Sequence, residues 1–402
     1  MERRDVRIAV YGTGSSRNIG DSARLLAIAE QAGDLSVPSN VRVFGDDHAA
    51  SFLPSEVMVD RSSLGSVRAF ARTMRGTDIL IYDAGLQDVS SRLYLPALLW
   101  RPLLARFLGV RISFYGIGVG PLNTRLGRSL ARLAANRADA LAVRDRESRA
   151  VLESIGASRV PIHVTADPAF RLREASPSRG RSLLAERGLD PGDDPLITVS
   201  PRRWFYCNSG WLPTHLAIRW GFWPPGGRER NARFASALAS AADRLVKELG
   251  ARVLFVPTSP GQAQDDDDVA RTIHRSMQHG DRAAVLEAML DPLDIKDVLS
   301  VPALHIGARM HSTILAMSSG VPCVGLSYSP KFESLFSRLD LEDCVIPIGE
   351  VTEDRVWDLV LSAWNRRSEL REKITSGVCT LRDEADRNRQ ILDALARPLR
   401  NS

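Results

Sequence analysis

Short runs of β-branched and other apolar residues alternate with longer amphipathic stretches over most of the chain. In the first half the short runs are VRIAVYG (6–12), VRVFG (41–45), DILIYD (78–83), RISFYGIG (111–118), ALAVRD (140–145) and PIHVT (161–165). Segments rich in Ala, Leu and Arg lie between most of them. This alternation predicts strands and helices feeding a doubly wound parallel sheet. Residues 173–194 are polar and carry Pro and Gly, which reads as a boundary. A second series follows: LITVSPR (196–202), RVLFVPTS (252–259), ALHIGAR (303–309), CVGLSY (323–328) and CVIPI (344–348). Helical periodicity fills 231–249 and 310–319, and the tail from about 354 to 397 reads as helix. The expected fold class is α/β, with an N-terminal domain over 1–178 and a C-terminal domain over 190–402 that carries the terminal helices. Two such halves leave a cleft, and ligands of open α/β sheets bind beyond the carboxyl ends of the strands.

A length of 402 residues suits two large domains, each able to bury its own core. At 44% hydrophobic and 25% charged the composition excludes a disordered chain, a collagen-like fibre and a disulfide miniprotein. The formal charge of +5 arises from interleaved acids and bases, which argues against nucleic acid as a partner. Lysine is scarce, being confined to Lys247, Lys296, Lys331 and Lys373, so each is informative. Cys207, Cys323, Cys344 and Cys379 lack metal-ligand spacing, and no metal is expected. The start MERRDVRIAVYG has no signal-peptide core, and the apolar run Leu93 to Trp100 is too short to span a bilayer. A soluble, cytoplasmic protein is expected. The stretch RLYLPALLWRPLLARFL (92–108) reads as a buried inter-domain helix, with contact at the inner face of the membrane left open, as is self-association.

Several segments carry candidate chemistry. YGTGSSRNIGDSA (11–23) places a Gly-rich loop and a helix start after a strand, a geometry whose amides can hold an anion. It matches neither G-x-G-x-x-G nor a P-loop; Asn18 and Asp21 are its candidate ligand contacts, with helix capping the competing role of Asp21. DILIYDAGLQDVSS (78–91) puts Asp88 just past a strand, where a carboxylate can deprotonate a hydroxyl or cap a helix; Asp83 is equally eligible. FYGIGVGP (114–121) demands a tight turn or close approach. In AVRDRES (142–148) a structural Arg144–Asp145 pair is expected. In VSPRRWF (199–205) one of Arg202 and Arg203 should face the cleft. The acidic run 265–268 reads as a solvated loop or helix start.

The densest segment is HIGARMHSTILAMSSGVPCVGLSYSPKF (305–332). Arg309 and His311 open a helix that continues through Ser312, and Tyr328 and Lys331 open the next. Arg309, His311, Lys331 and the helix N-terminus can face one pocket suited to a small polyanion. Trp204, Trp211, Trp220 and Trp223 cluster with Phe205, Tyr206 and Phe222, forming either a sugar-stacking platform or a satellite core.

In this order, NIGDSA, LQDVSS, YGIGVGP, VRDRES, TADPAF, SPRRW and GARMHSTILAMSSGVPCVGLSYSPK resemble the polysaccharide pyruvyl transferase family, over roughly 6–175 and 196–340. The resemblance implies two Rossmann-like domains facing across a cleft in the GT-B style. It implies transfer of the enolpyruvyl carbons of phosphoenolpyruvate onto two hydroxyls of a sugar, giving a cyclic pyruvate ketal and phosphate. Phosphoenolpyruvate is then a substrate, with no cofactor, and the acceptor is a glycan or a lipid-linked glycan precursor. Arg309, His311 and Arg202 match positions of the donor site, Asp88 the catalytic centre, and Lys331 the Y-x-P-K segment. Asp83-Ala84-Gly85 replaces a Gly-Gly-Gly-like turn and Ser329 a frequent Asp; the Trp-rich insertion points to the acceptor. His311 and Asp88 are the candidate general acid and base, in either order. A GT-B glycosyltransferase using a nucleotide sugar is the alternative, and a catalytically silent glycan-binding protein is a third reading.

Overall fold

The computed structural model describes residues 4–12, 17–61, 66–88, 93–204, 224–259, 266–286 and 290–401. The first half builds a seven-stranded sheet from β1 (Val6–Gly12), β2 (Ser39–Phe44), β3 (Met58–Asp60), β4 (Ile79–Asp83), β5 (Arg111–Ile117), β6 (Ala140–Val143) and β7 (Ile162–Val164). Its order is β3-β2-β1-β4-β5-β6-β7, and every pairing is parallel. Connecting helices are α1 (Ile19–Gly33), α2 (Asp47–Phe52), α3 (Val67–Arg75), α4 (Tyr94–Phe107), α5 (Arg125–Ala135) and α6 (Arg146–Ser154).

The second half repeats the plan. Its six-stranded parallel sheet runs β10-β9-β8-β11-β12-β13 and uses β8 (Leu196–Ser200), β9 (Arg252–Phe255), β10 (Ala283–Val285), β11 (Leu304–Gly307), β12 (Cys323–Ser327) and β13 (Val345–Pro347). Helices α7 (Pro177–Ala185), α8 (Gly227–Leu249), α9 (Asp266–Ser276), α10 (Pro292–Val298), α11 (Met310–Met317), α12 (Pro330–Ser337) and α13 (Glu353–Asn365) surround it, and α14 (Arg367–Ala396) closes the chain. Central strands β4, β6, β8, β11 and β12 are buried at every position. Helices cover both faces of such sheets, so their strands read as continuous apolar runs. The three-residue edge strands β3 and β10 carry no such run and were not foreseen.

Three expectations need correction. The boundary 173–194 contains α7, which packs on α10. There Lys296 Nζ donates to the carbonyls of Leu172 (3.1 Å) and Arg173 (2.7 Å), and Asp297 accepts from Arg173 (3.0 and 2.7 Å) and from the Ser176 amide (2.7 Å). The terminal helices do not all stay with the second domain, because α14 returns to the first. Its Asn388 bonds Thr165 Oγ1 (2.9 Å) and the Ala166 carbonyl (3.1 Å), Asp393 accepts from Ser36, and Leu392 and Ala396 enter the core around Ile8. Finally, α4 is not inter-domain. It packs on β5, α3 and α5 within the first domain. No described helix is long and apolar enough to cross a membrane.

A single hydrophobic core joins Ile19, Ala23, Leu26 and Ala27 of α1 to Leu183, Ile314 and Leu315 of the second domain. This seam sets the start of α1 against the start of α11.

Candidate functional site

A cavity of about 580 Å³ opens where the carboxyl edges of the two sheets face each other. It lies at the turns after β1, β4, β5 and β6 on one side and after β8, β9, β11 and β12 on the other. Both strand orders reverse there, between β1 and β4 and between β8 and β11, which is where doubly wound sheets bind ligands. A more open hollow near Asp34, Arg171 and Asp386 is lined by ion-paired surface side chains.

From the first domain come Asn18, Asp21, Arg24, Gln87, Tyr94, the Gly118–Pro121 turn, Arg144 and Glu147. Beneath them lies a buried charge network. Arg24 pairs with Asp83 and stands 3.8 Å from Asp167, while Arg144 reaches Asp167 (3.1 Å) and Asp145 (3.4 Å). Burial pushes the Asp83 carboxyl up to about 7, against the pull of Arg24. Burial would raise Asp167 as well, but Arg24, His311 and Arg144 hold it well below the usual carboxylate range.

His311 is the second residue of α11 and sits 3.4 Å, through Nε2, from Asp167 of the other domain. Its ring lies on the backbone of α1. A Cβ at Gly20 would fall 2.2 Å from Nδ1, so only glycine lets the imidazole rest there. This explains the glycine of the NIGDSA segment in physical terms.

The second domain supplies Arg202, Trp204, Thr258, Arg309, Tyr328 and Lys331. The Arg202 guanidinium lies 3.8 Å from the Tyr328 ring centre and 5.0 Å from that of Trp204. Arg203 turns away to Asp268, as expected of one member of the pair. Arg309 is held bidentately by buried Asp266 (2.8 and 2.6 Å), whose carboxyl is raised by burial and partly restored by that arginine. Lys331 makes no hydrogen bond or ion pair among the described residues. Burial, with Arg144 and Arg24 nearby, pushes its ammonium down to about 7, against the opposing pull of Asp145.

Of the residues singled out in the sequence, Asn18, Asp21, Arg202, Trp204, Arg309, His311 and Lys331 line one cavity. Asp88 does not. Its carboxylate accepts from the amides of Asn123 (2.7 Å) and Thr124 (2.8 Å) and from Thr124 Oγ1 (2.6 Å), so it fixes the turn before α5. Ser312 is also displaced from the site. Its Oγ donates to the Arg309 carbonyl (2.8 Å) and lies 3.2 Å from His305 Nε2. Burial lowers His305 to about 3, so it stays neutral and braces the start of α11. Residues 13–16, 89–92, Asp265 and the aromatic segment 205–223, with Trp211, Trp220 and Trp223, lie outside the described residues. Sequence reasoning did not single out Arg24, Asp167 or Asp266. Asp167 stood in TADPAF and Asp266 in the acidic run, but neither has a local signature for its partner. No group of His, Cys, Asp and Glu among the described residues is placed to hold a metal.

The profile of the polysaccharide pyruvyl transferase family matches residues 18–330. The amylovoran biosynthesis protein AmsJ of Erwinia amylovora is 22% identical over 305 residues, 74% of this chain and 69% of that protein. Among solved structures, the UDP-GlcNAc 2-epimerase of Neisseria meningitidis superposes with a TM-score of 0.60 at 10% identity, over 96% of this chain and 99% of that one. The ADP-heptose heptosyltransferase II of E. coli does so with a TM-score of 0.51 at 13% identity, over 91% and 100%. At these identities the structures establish the paired Rossmann-like, GT-B-like fold alone.

Proposed function

The chain belongs to the polysaccharide pyruvyl transferase family, and from that membership we propose that it transfers the pyruvyl group of phosphoenolpyruvate to two hydroxyls of a glycan under assembly. The observation that carries the reading is a grip for a polyanion built by one domain. Arg202 and Lys331 line the cavity beside α11 and α12, whose N-termini have no side-chain cap. Phosphoenolpyruvate offers a phosphate and a carboxylate on three carbons, and both match guanidinium, ammonium and helix amides.

In this reading His311 protonates the methylene carbon, which becomes methyl, and Asp167 stabilises the imidazolium that delivers the proton. Positive charge develops on the neighbouring carbon. A sugar hydroxyl oxygen bonds there, the bond to the phosphate oxygen breaks, and the second hydroxyl closes the ketal. Two hydroxyl protons are released for the one taken up by carbon, and the other leaves on phosphate. Asp21, a cavity carboxylate on the first turn of α1, is the proposed acceptor of a hydroxyl proton in place of Asp88, whose carboxylate is engaged by the turn before α5. Arg309, paired with Asp266, holds the start of α11.

The test is incubation of the purified chain with phosphoenolpyruvate and candidate glycans. The expected result is phosphate release and a glycan heavier by pyruvic acid less one water. Release of nucleoside diphosphate from a sugar nucleotide, with phosphoenolpyruvate untouched, would replace this reading by the glycosyltransferase one.

A further inference from the structure

Among the described residues the large exposed apolar side chains are Met58, Val67, Leu93, Phe107, Leu126 and Leu133, and all belong to the first domain. Phe107 is 86% exposed. Most monomer surfaces scatter such residues. Here five of the six lie on or beside α3, α4 and α5, which pack side by side. Along α4, Leu93, Pro96, Leu103 and Phe107 recur at helical spacing on one face and none of them is buried, while Trp100 among them packs its ring on Phe70 of α3 (5.6 Å between centres). On α5, Leu126 and Leu133 repeat after two turns, next to Arg125 and Arg132.

Asp139 pairs with Arg106 at the end of α4 (3.3 Å); the charge carried by the helices themselves is positive. None of the three helices contains Asp or Glu. Arg68, Arg72, Arg75, Arg125, Arg128 and Arg132 are all exposed, and none forms an ion pair among the described residues. Apolar anchors set among arginines fit a surface that is negatively charged outside and apolar just beneath.

We propose that the α3–α4–α5 face docks the protein on an anionic phospholipid bilayer. Phe107 and Leu126 enter the boundary between headgroups and acyl chains, and the arginines contact lipid phosphates. A second copy on this face would oppose arginine to arginine. Nucleic acid would satisfy the arginines and leave Phe107 without a partner. The face adjoins the cavity, because Tyr94 begins α4 and the Gly118–Pro121 turn leads to α5, and both line the cleft. Docking therefore brings the mouth of the cleft to the headgroup layer, within reach of an acceptor held by a lipid.

The test is flotation of the full chain with phosphatidylglycerol-containing vesicles and with pure phosphatidylcholine vesicles. Binding is expected to the first and not the second, and to weaken with added salt. Phe107→Asp should lower it, and the pair Arg125→Glu with Arg132→Glu should lower it roughly 30-fold or more, at about five-fold per arginine removed. Circular dichroism and unchanged phosphate release with a lipid-free acceptor confirm that these variants fold. Equal binding to both vesicle types, no binding to either, or binding to duplex DNA that Phe107→Asp leaves intact would overturn the proposal. Vesicle binding requires no turnover, so failure here leaves the catalytic reading standing, and the converse also holds.

Discussion

Helices of both domains aim their first turns at the cleft; α1 and α6 of the first domain are capped there, whereas α4 of the first and α11 and α12 of the second begin without a side-chain cap. At the start of α1 the Asn18 side chain accepts the Gly20 amide, and Thr258 accepts that of Ile19; at the start of α6 Asp145 accepts that of Ser148. Neither Arg309 before α11 nor Ser329 before α12 caps its helix. A cap consumes the donors that would otherwise hold an anion. The charged groups divide in the same way. Asp83 and Asp167 of the first domain are buried against Arg24 and Arg144, whereas Lys331 of the second faces the cavity with no partner among the described residues. The buried carboxylates of the first wall therefore act as a frame, and the second wall presents Lys331 and the starts of α11 and α12 to a ligand.

The contrast breaks most visibly at His311, which the second domain carries and the first domain's Asp167 holds. His311→Ala should cut kcat by about 10²–10⁴-fold with little change in phosphoenolpyruvate affinity. Phosphate release and calorimetry separate the two, and lost affinity with intact kcat would move His311 to the grip. Gly20→Ala tests the frame from the opposite side. Its Cβ would meet His311 Nδ1 at 2.2 Å, so the imidazole must move, and turnover should fall on the order of 10²-fold while the donor still binds.

The two cavity arginines of the second domain sharpen the comparison further. Arg309→Ala strands buried Asp266 and should cost about 3–5 kcal/mol of stability, read in denaturant unfolding. Arg202→Ala removes a cation from two rings, costs about 0.5–2 kcal/mol, and should act mainly on the KM for phosphoenolpyruvate. Equal loss of stability in both would show that aromatic and carboxylate support are equivalent here.

Lys331→Met should weaken phosphoenolpyruvate binding by roughly tenfold, the value of one charge-assisted hydrogen bond. Wild-type affinity should fall as pH rises through about 7, because the ammonium then loses its proton, and the variant should lack this slope. Stability runs the other way. The folded state depresses this lysine below its unfolded value, so its unfavourable charge is relieved as pH rises above about 7, and the unliganded variant should melt no lower than wild type. The smallest catalytic effect belongs to Asp88→Asn. It loosens the turn before α5, should cost about 1–3 kcal/mol of stability, and should leave kcat unchanged.

Asp88 and His311 show why some of the site could be read early and some could not. Both follow strands, as a functional group in this fold should. What separates them is whether neighbouring amides claim the side chain, and for Asp88 those amides lie 35 and 36 residues further on. Asp167 gave no local sign of its role, because its partners Arg24 and His311 lie on opposite sides of it in sequence and in different domains. The same distance hid the return of α14 to the first domain. Its apolar stripe marks a buried face but does not say what buries it.

By itself the sequence determined two parallel sheets, since continuous apolar runs separated by amphipathic helices have few other ways to bury themselves. It also placed Arg202, Arg309, His311 and Lys331 at strand ends, because turns and helix starts are local events. The tertiary structure alone decided which of these charges remain available to a ligand. A guanidinium or a carboxylate is neutralised by whatever packs within about 4 Å of it, and in a two-domain fold that neighbour comes from anywhere in the chain.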